Sequence, residues 1–450
     1  MRLLKRIFFL LLILPFQVVS QSSLLWENLH CPNNYDPISL YFDTTQNNLY
    51  MLSSWSDSSR ISKWDGATWV TLPFTGCSSG LNLTNYNGEL LAATGGCFSI
   101  LKLNGTNWQP FQSILPNNNV NCFLQNGNDL YIGGVFDSIG ASAIRCVSKW
   151  NGSSWEAFGN FPYSTSFGFN NVRSLAMYMG DLIAGGLIGD NAGNVVNIVK
   201  WDGFSWSALG GGIHGGMDDV FDMIIYNNEL YVAGSFTKAH GNVGNYIQKW
   251  DGNWHEVGGG VMGLFGGNGQ IWDLEVHENA LYATGYFSTA GGVPAQHIAK
   301  WDGTNWCSLG TELANAICLT KSSTDLYVGG GFKVINGDST GSITKWIGGN
   351  YVDTCGFIPI GIEEMTISTE LKVYPNPATN QITLEFNINT SKDTFIEINN
   401  ILGQSVKKTV NSFPIGVNMM EIDLSELPKG LYFIQLQNDN KISSKKIIKQ

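Results

Sequence analysis

The sequence predicts an all-β protein, a seven-bladed β-propeller followed by a C-terminal β-sandwich. Three observations carry that prediction. A motif of the form Lys-Trp-Asp-Gly-x-x-Trp stands at Lys63, Lys200 and Lys300, with a near copy at Lys149, a shortened one at Lys249 and worn ones at Lys102 and Lys345; the seven starts are spaced 39, 47, 51, 49, 51 and 45 residues apart. A period of that size means a stacked array of like units. Glycine is abundant at 53 residues, tryptophan frequent at 15, and charged residues scarce at 14%, which is the profile of short strands joined by tight turns. All 15 Trp, all 8 Cys and 50 of the 53 Gly precede residue 371, and such a step in composition marks two domains of different make.

Residues 1–20 read as a secretory signal. Arg2, Lys5 and Arg6 form a basic start, Ile7 to Phe16 an apolar run too short to span a bilayer, and Val18 and Ser20 offer small side chains for cleavage after Ser20. Gln21 rather than Cys follows the cut, so no acylation site is created there. No later segment is long and apolar enough to cross a membrane. Without the signal the net charge is −14: residues 21–370 carry −16 and residues 371–450 carry +2. An acidic surface with only Arg60, Arg145 and Arg173 after the signal argues against nucleic acid and anionic membranes as partners.

Each repeat has a legible order. In residues 220–257, Val220 to Tyr226 is an apolar strand, Asn227-Asn228-Glu229 a turn, and Leu230 to Phe236 a second strand. After a polar loop come a third strand, Tyr246 to Trp250, the turn Asp251-Gly252-Asn253, and a fourth strand, Trp254 to Val257. Asp-Gly and Asn-Gly supply the positive φ of hairpin turns. Seven such four-stranded units make the propeller, residues 21–357. Its ring needs closing because open sheets leave unpaired edges. Leu24 to Leu29 resembles an extra fourth strand and is expected to pair with the last repeat.

Eight cysteines in an exported chain suggest disulfides. Cys77–Cys97, around one strand pair, and Cys31–Cys355, latching the two ends of the array, are the expected bonds. Cys122 and Cys318 occupy equivalent places in their repeats, with buried thiols as the alternative there. No Cys/His set has zinc spacing, so the sequence asks for no metal and no cofactor.

Leu326 to Gly330 (Leu-Tyr-Val-Gly-Gly) and Leu130 to Gly134, each followed by a strand ending in Trp, a turn and a second Trp, resemble the kelch-like repeats of exported bacterial proteins. That resemblance implies the fold and says little of function. After a linker, residues 358–370, comes Tyr374-Pro375-Asn376-Pro377. It is followed by short alternating strands, by Gly403 and Gly430-Leu431-Tyr432, and by a basic end with Lys445 and Lys446. Over residues 371–450 this resembles the type A C-terminal sorting domain of the type IX secretion system of Bacteroidetes-type bacteria. The family implies an Ig-like sandwich, recognition by the translocon, and removal by its sorting protease. Six or seven short strands in 80 residues agree with a sandwich.

The repeated Trp pairs could stack sugars, but seven equivalent copies favour buried ridges between blades, since ligand sites are few per protein. Turn formation likewise explains the repeated Asp-Gly better than calcium does. Because Asp and Gly are adjacent, the motif also fails the sialidase Asp box. Sites are expected where the copies differ, on the face that carries the long loops. Candidates there are Phe161, Tyr163, Phe167 and Phe169 in one aromatic-rich loop, with Arg173, His214 and Trp272. Aligned on the second strand, one first-strand position is held by Tyr41, Asn82, Cys122, Ser174, Asp222, Asp273 and Cys318. If that strand lines the channel, Asp222 and Asp273 lie side by side. They would then share a proton, act as acid and base, or simply accept backbone hydrogen bonds. The six His are scattered, match no catalytic motif, and are expected on the surface or in loops. The reading is an exported or cell-surface binding or adhesion module for a glycan or protein ligand. The alternative is a secreted polysaccharide-degrading enzyme with Asp222 and Asp273 as its carboxylates.

Overall fold

A computed structural model describes residues 25–31, 36–55, 58–72, 79–95, 100–162, 170–189, 194, 196–214, 219–263, 268–310, 313, 315–332, 334–335, 338–339, 342–348, 355, 371–388, 394–400, 405–438 and 441–450. The chain forms two compact units, Met1–Ile358 and Pro359–Gln450. The predicted leader, Cys77, Cys97, Tyr163, Phe167, Phe169 and Gly403 lie outside the described residues.

Among the described residues the first unit contains seven four-stranded antiparallel sheets. The fifth is representative: Val220–Tyr226, Glu229–Gly234, Ile247–Trp250 and Trp254–Glu256, each strand paired with the next. First strands of successive sheets lie against one another, and that of the seventh, Ala316–Lys321, lies against that of the first, Pro37–Asp43. The ring is therefore closed. Its closure is as the sequence suggested: Trp26–Asn28 supplies the outer strand of the seventh sheet, with Trp26 opposite Trp346 and Asn28 opposite Thr344.

The repeated motif builds hairpins. Asp65, Asn151, Asp202 and Asp302 each accept, through Oδ1, the N–H groups two and three residues ahead. The glycines that follow have φ of +97°, +97°, +98° and +101°, a conformation that favours glycine. Each turn sets its two tryptophans opposite one another, as in Trp201↔Trp206 and Trp301↔Trp306. Their ring centroids stand 5.6 and 5.4 Å apart. The second indole then reaches the neighbouring unit. Trp69, Trp155, Trp206, Trp254 and Trp306 donate their Nε1–H to the carbonyls of Leu29, Ile114, Phe158, Gly210 and Val257, at 2.7 to 3.2 Å. These rings are the mortar between sheets.

The expected Cys31–Cys355 bond does not form. Cys355 is joined to Cys307, in the outer strand of the sixth sheet, while Cys31 keeps its thiol beside the sulfur of Met51 at 3.8 Å. The reason is directional. In the antiparallel closing pair the chain after Trp346 and the chain after Asn28 leave from opposite ends of the sheet. Cys122, Cys146 and Cys318 are buried thiols.

The second unit has two antiparallel sheets. Lys372–Tyr374, Gln381–Ile388 and Gly416–Asp423 form one; Ser405–Asn411, Thr394–Asn400, Gly430–Asn438 and Lys441–Lys449 form the other. Alternate residues of both, among them Ile382, Leu384, Phe386, Ile396, Ile398, Ile434 and Ile447, meet in one core.

Candidate functional site in the central channel

Each sheet's first strand carries a one-residue bulge near its start, at the same place in all seven. A bulge re-aims side chains and interrupts pairing. Here it turns two successive residues toward the axis, and together the seven strands enclose a channel of about 370 Å³. The residues just after the bulge are Ser39, Asn82, Cys122, Ser174, Asp222, Asp273 and Cys318. Ser39 thus stands where the repeat alignment put Tyr41. The first sheet's opening hairpin pairs Asp43 with Asn48 across four turn residues, whereas the fifth pairs Tyr226 with Glu229 across two.

Asp222 and Asp273 are brought together as expected, and their surroundings define what they do. Ser174 Oγ accepts the N–H of Met223 at 3.1 Å, Asp222 Oδ2 that of Leu274 at 3.0 Å, and Asp273 Oδ2 that of Leu319 at 2.6 Å. In three successive sheets the residue after the bulge therefore staples the first strand of the next sheet. Asp222 Oδ1 also accepts from Ser174 Oγ at 3.1 Å. Burial raises both carboxyl pKa values. Asp273 is held well above the carboxylate range, first by its burial and then by the Asp222 charge beside it.

The residues at the bulge itself line the channel end where sheet-to-sheet connections enter. Arg173, Phe221 and Trp272 come from adjacent sheets. Arg173 is exposed; its Nε donates to Asp219 Oδ2 at 2.7 Å, and its guanidinium lies 5.2 Å from the centre of the Phe221 ring. Trp272 is half-buried and donates its Nε1–H to Gln270. Burial pushes Asp219 up to about 6 against the opposing pull of Arg173. Phe221 and Asp219 escaped the sequence reading, although each sits within three residues of the singled-out Asp222.

Other candidates fall elsewhere. Phe161 is 4% exposed, with its ring edge-on to Trp206 at 4.9 Å; it belongs to the core and not to a binding face. His214 is exposed in a loop, its backbone held by the Asn242 side chain. Against expectation His277 and His297 are buried, and His297 Nδ1 bonds the carbonyl of Gly285. Among the described residues one group has the geometry of a metal site, Asp302 with Cys307 and Cys355, but its two sulfurs are joined to each other.

In the second unit, Asn376 ties the Tyr374-to-Pro377 stretch to the last strand. Its Nδ2 donates to the Lys446 carbonyl, and its Oδ1 accepts from Ile448 N–H. Tyr432 is buried and donates to the carbonyl of Pro428, Gly430 opens its strand, and Lys446 is exposed. Tyr374 hydrogen-bonds Glu385, and Lys445 lies half-buried in the last strand.

Residues 372–450 match the family of secretion system C-terminal sorting domains. The protein is accordingly cargo of the type IX route, secreted or held at the outer cell surface after export. No helix among the described residues is long and apolar enough to cross a membrane. No curated protein sequence matches the chain. Among solved structures it is similar to the extracellular domain of a one-component system from B. thetaiotaomicron, with a TM-score of 0.47 at 11% identity over 95% of this chain. The chain spans 58% of that protein's length. YCF48 from Cyanidioschyzon merolae gives 0.46 at 12% identity, covering 72% of this chain and 98% of the other. The β-propeller domain of the Trilobed protease from Pyrococcus furiosus gives 0.38 at 11%, covering 60% and 83%.

Proposed function

We propose that the protein is a seven-bladed, kelch-like propeller (residues 21–357) exported with a cleavable leader (1–20), a linker (358–370) and a type A sorting domain of Ig-like sandwich form (371–450). The translocon and its sorting protease handle the sandwich. The propeller then works outside as a binding or adhesion module for a glycan or protein ligand. The observation that carries this reading is the channel mouth, where Arg173, Phe221 and Trp272 offer a cation and two aromatic faces from three adjacent sheets. Such a pairing of aromatic area with a few polar groups suits recognition. The Tyr432 hydroxyl, bonded four residues back to Pro428, supports the Ig-like reading because such a tyrosine corner recurs in that sandwich.

The enzymatic alternative is weaker. Glycosidase carboxyls stand about 5–5.5 Å apart in retaining enzymes and about 6.5–9.5 Å apart in inverting ones, so that a sugar fits between them. Asp222 and Asp273 are each committed to holding the first strand of the next sheet, through the N–H groups of Leu274 and Leu319. Two measurements test the proposal. Glycan and peptide arrays probed with the secreted chain should give a ligand whose affinity falls at least tenfold in Arg173→Ala and Trp272→Ala; equal binding by both variants would refute the mouth. Deleting residues 371–450 should strand the remainder in the periplasm, and undiminished appearance in the medium would refute the tag.

A further inference from the structure

A second cavity lies apart from the channel, a cleft of about 450 Å³ between the first and second sheets, on the face of the tight turns. One departure from the repeat opens it. The second sheet carries Leu103 opposite Trp108, where the third to sixth carry a Trp pair. At the next junction the equivalent ring, Trp150, packs edge-on against Phe111 at 5.9 Å. Between the fifth and sixth sheets Trp301 reaches Tyr231, which is the counterpart of Tyr50. Tyr50 instead faces the cleft together with Leu103.

A second departure coincides with the first. The lysine that opens the motif is neutralised in five other sheets: Lys102 by Glu89, Lys149 by Asp129 and Glu156, Lys200 by Asp181, Lys249 by Glu229, and Lys345 by Asp325 and Glu27. In the first sheet those acidic positions are held by Asn48 and Val70. Half-buried Lys63 consequently lines the cleft with no ion pair among the described residues. An ammonium with no counter-ion beside an open cavity is a donor available to a ligand.

We propose that this cleft binds one neutral pyranose unit of a glycan, independently of the channel. Leu90, Leu103 and the exposed Val70 form an aliphatic wall for the C–H face of a ring. Lys63, Gln46 and the exposed Asp65 supply polar groups around the rim, while Asp43 is buried behind them with its Oδ1 accepting from Thr45 and Gln46. One ammonium against two carboxylates disfavours an acidic sugar. The volume lies within the range of small-molecule sites, roughly 300–1,000 Å³.

The test uses the full secreted chain in saturation-transfer NMR and calorimetry against glucose, galactose, mannose, N-acetylglucosamine and glucuronate. At least one neutral sugar should bind. Leu103→Trp, which restores the ring found in the other sheets, should weaken that binding at least tenfold, and Lys63→Met should weaken it severalfold. Phe204→Ala, at an exposed side chain of the fourth sheet that lines neither the cleft nor the channel, should leave it unchanged. Binding of none of the neutral sugars overturns the proposal, as does preference for glucuronate or equal affinity in Leu103→Trp. Loss of sugar binding in Arg173→Ala but not in Leu103→Trp would assign the sugar to the channel instead.

Discussion

Two junctions of the ring differ at the first tryptophan of the repeated motif. Between the fifth and sixth sheets, Trp301 and Trp306 are 4% and 2% exposed, packed among Tyr226, Tyr231 and Ile271. Between the first and second, Leu103 replaces the first indole and an open cleft takes its place. A repeat protein joins neighbours through equivalent surfaces, so losing one ring removes filler at one junction and leaves the others intact. Regular copies are scaffold. The irregular copy is where space for a ligand appears.

The largest effect that would test this contrast is Trp301→Ala, which should cost roughly 3–5 kcal/mol in denaturant unfolding. A loss under about 1 kcal/mol would mean the ring is not packed as described. Next comes Cys307→Ser, which frees the segment after the seventh sheet and should cost about 2–4 kcal/mol under oxidising conditions. No change on reduction of the parent chain would argue against that bond. Leu103→Ala, acting on a site already half open, should cost only about 1 kcal/mol in the same assay. A value matching Trp301→Ala would erase the difference between the junctions.

The channel supplies the smallest and most pH-dependent effect. The folded-state pKa values of Asp219, Asp222 and Asp273 lie above ordinary carboxylate values, that of Asp219 at about 6. The stability they contribute is therefore full below about pH 4 and is lost as pH rises through the raised values. Asp273→Asn keeps an acceptor for Leu319 N–H while removing one charge, so it should flatten that decline. Denaturation midpoints at acid and neutral pH check this; a variant as pH-dependent as the parent would show that Asp273 is ionised without penalty.

Much of the candidate site was legible beforehand. The repeat alignment placed Asp222 and Asp273 in adjacent sheets at one level, and hairpin spacing sufficed because both sheets have the same two-residue turn. It missed Ser39 because the first hairpin is two residues longer. Phe161, chosen for its aromatic company, proved to be core, since an aromatic-rich loop gives the same signal whether it is packed or open.

The sequence alone determined the strands, the turns, the sevenfold count of motifs, the closing strand at Trp26 and the sorting tail. Each is local, set by residue spacing, by glycine at positive φ, or by a motif within 80 residues. Tertiary structure decided what depends on which surfaces meet. It paired Cys355 with Cys307, because antiparallel pairing carries Cys31 away. It made the channel carboxylates staples between neighbouring strands, because bulges turn them inward together. It also made the worn motif at Leu103 a cleft, because an absent ring has a consequence only where a neighbouring sheet would have covered it.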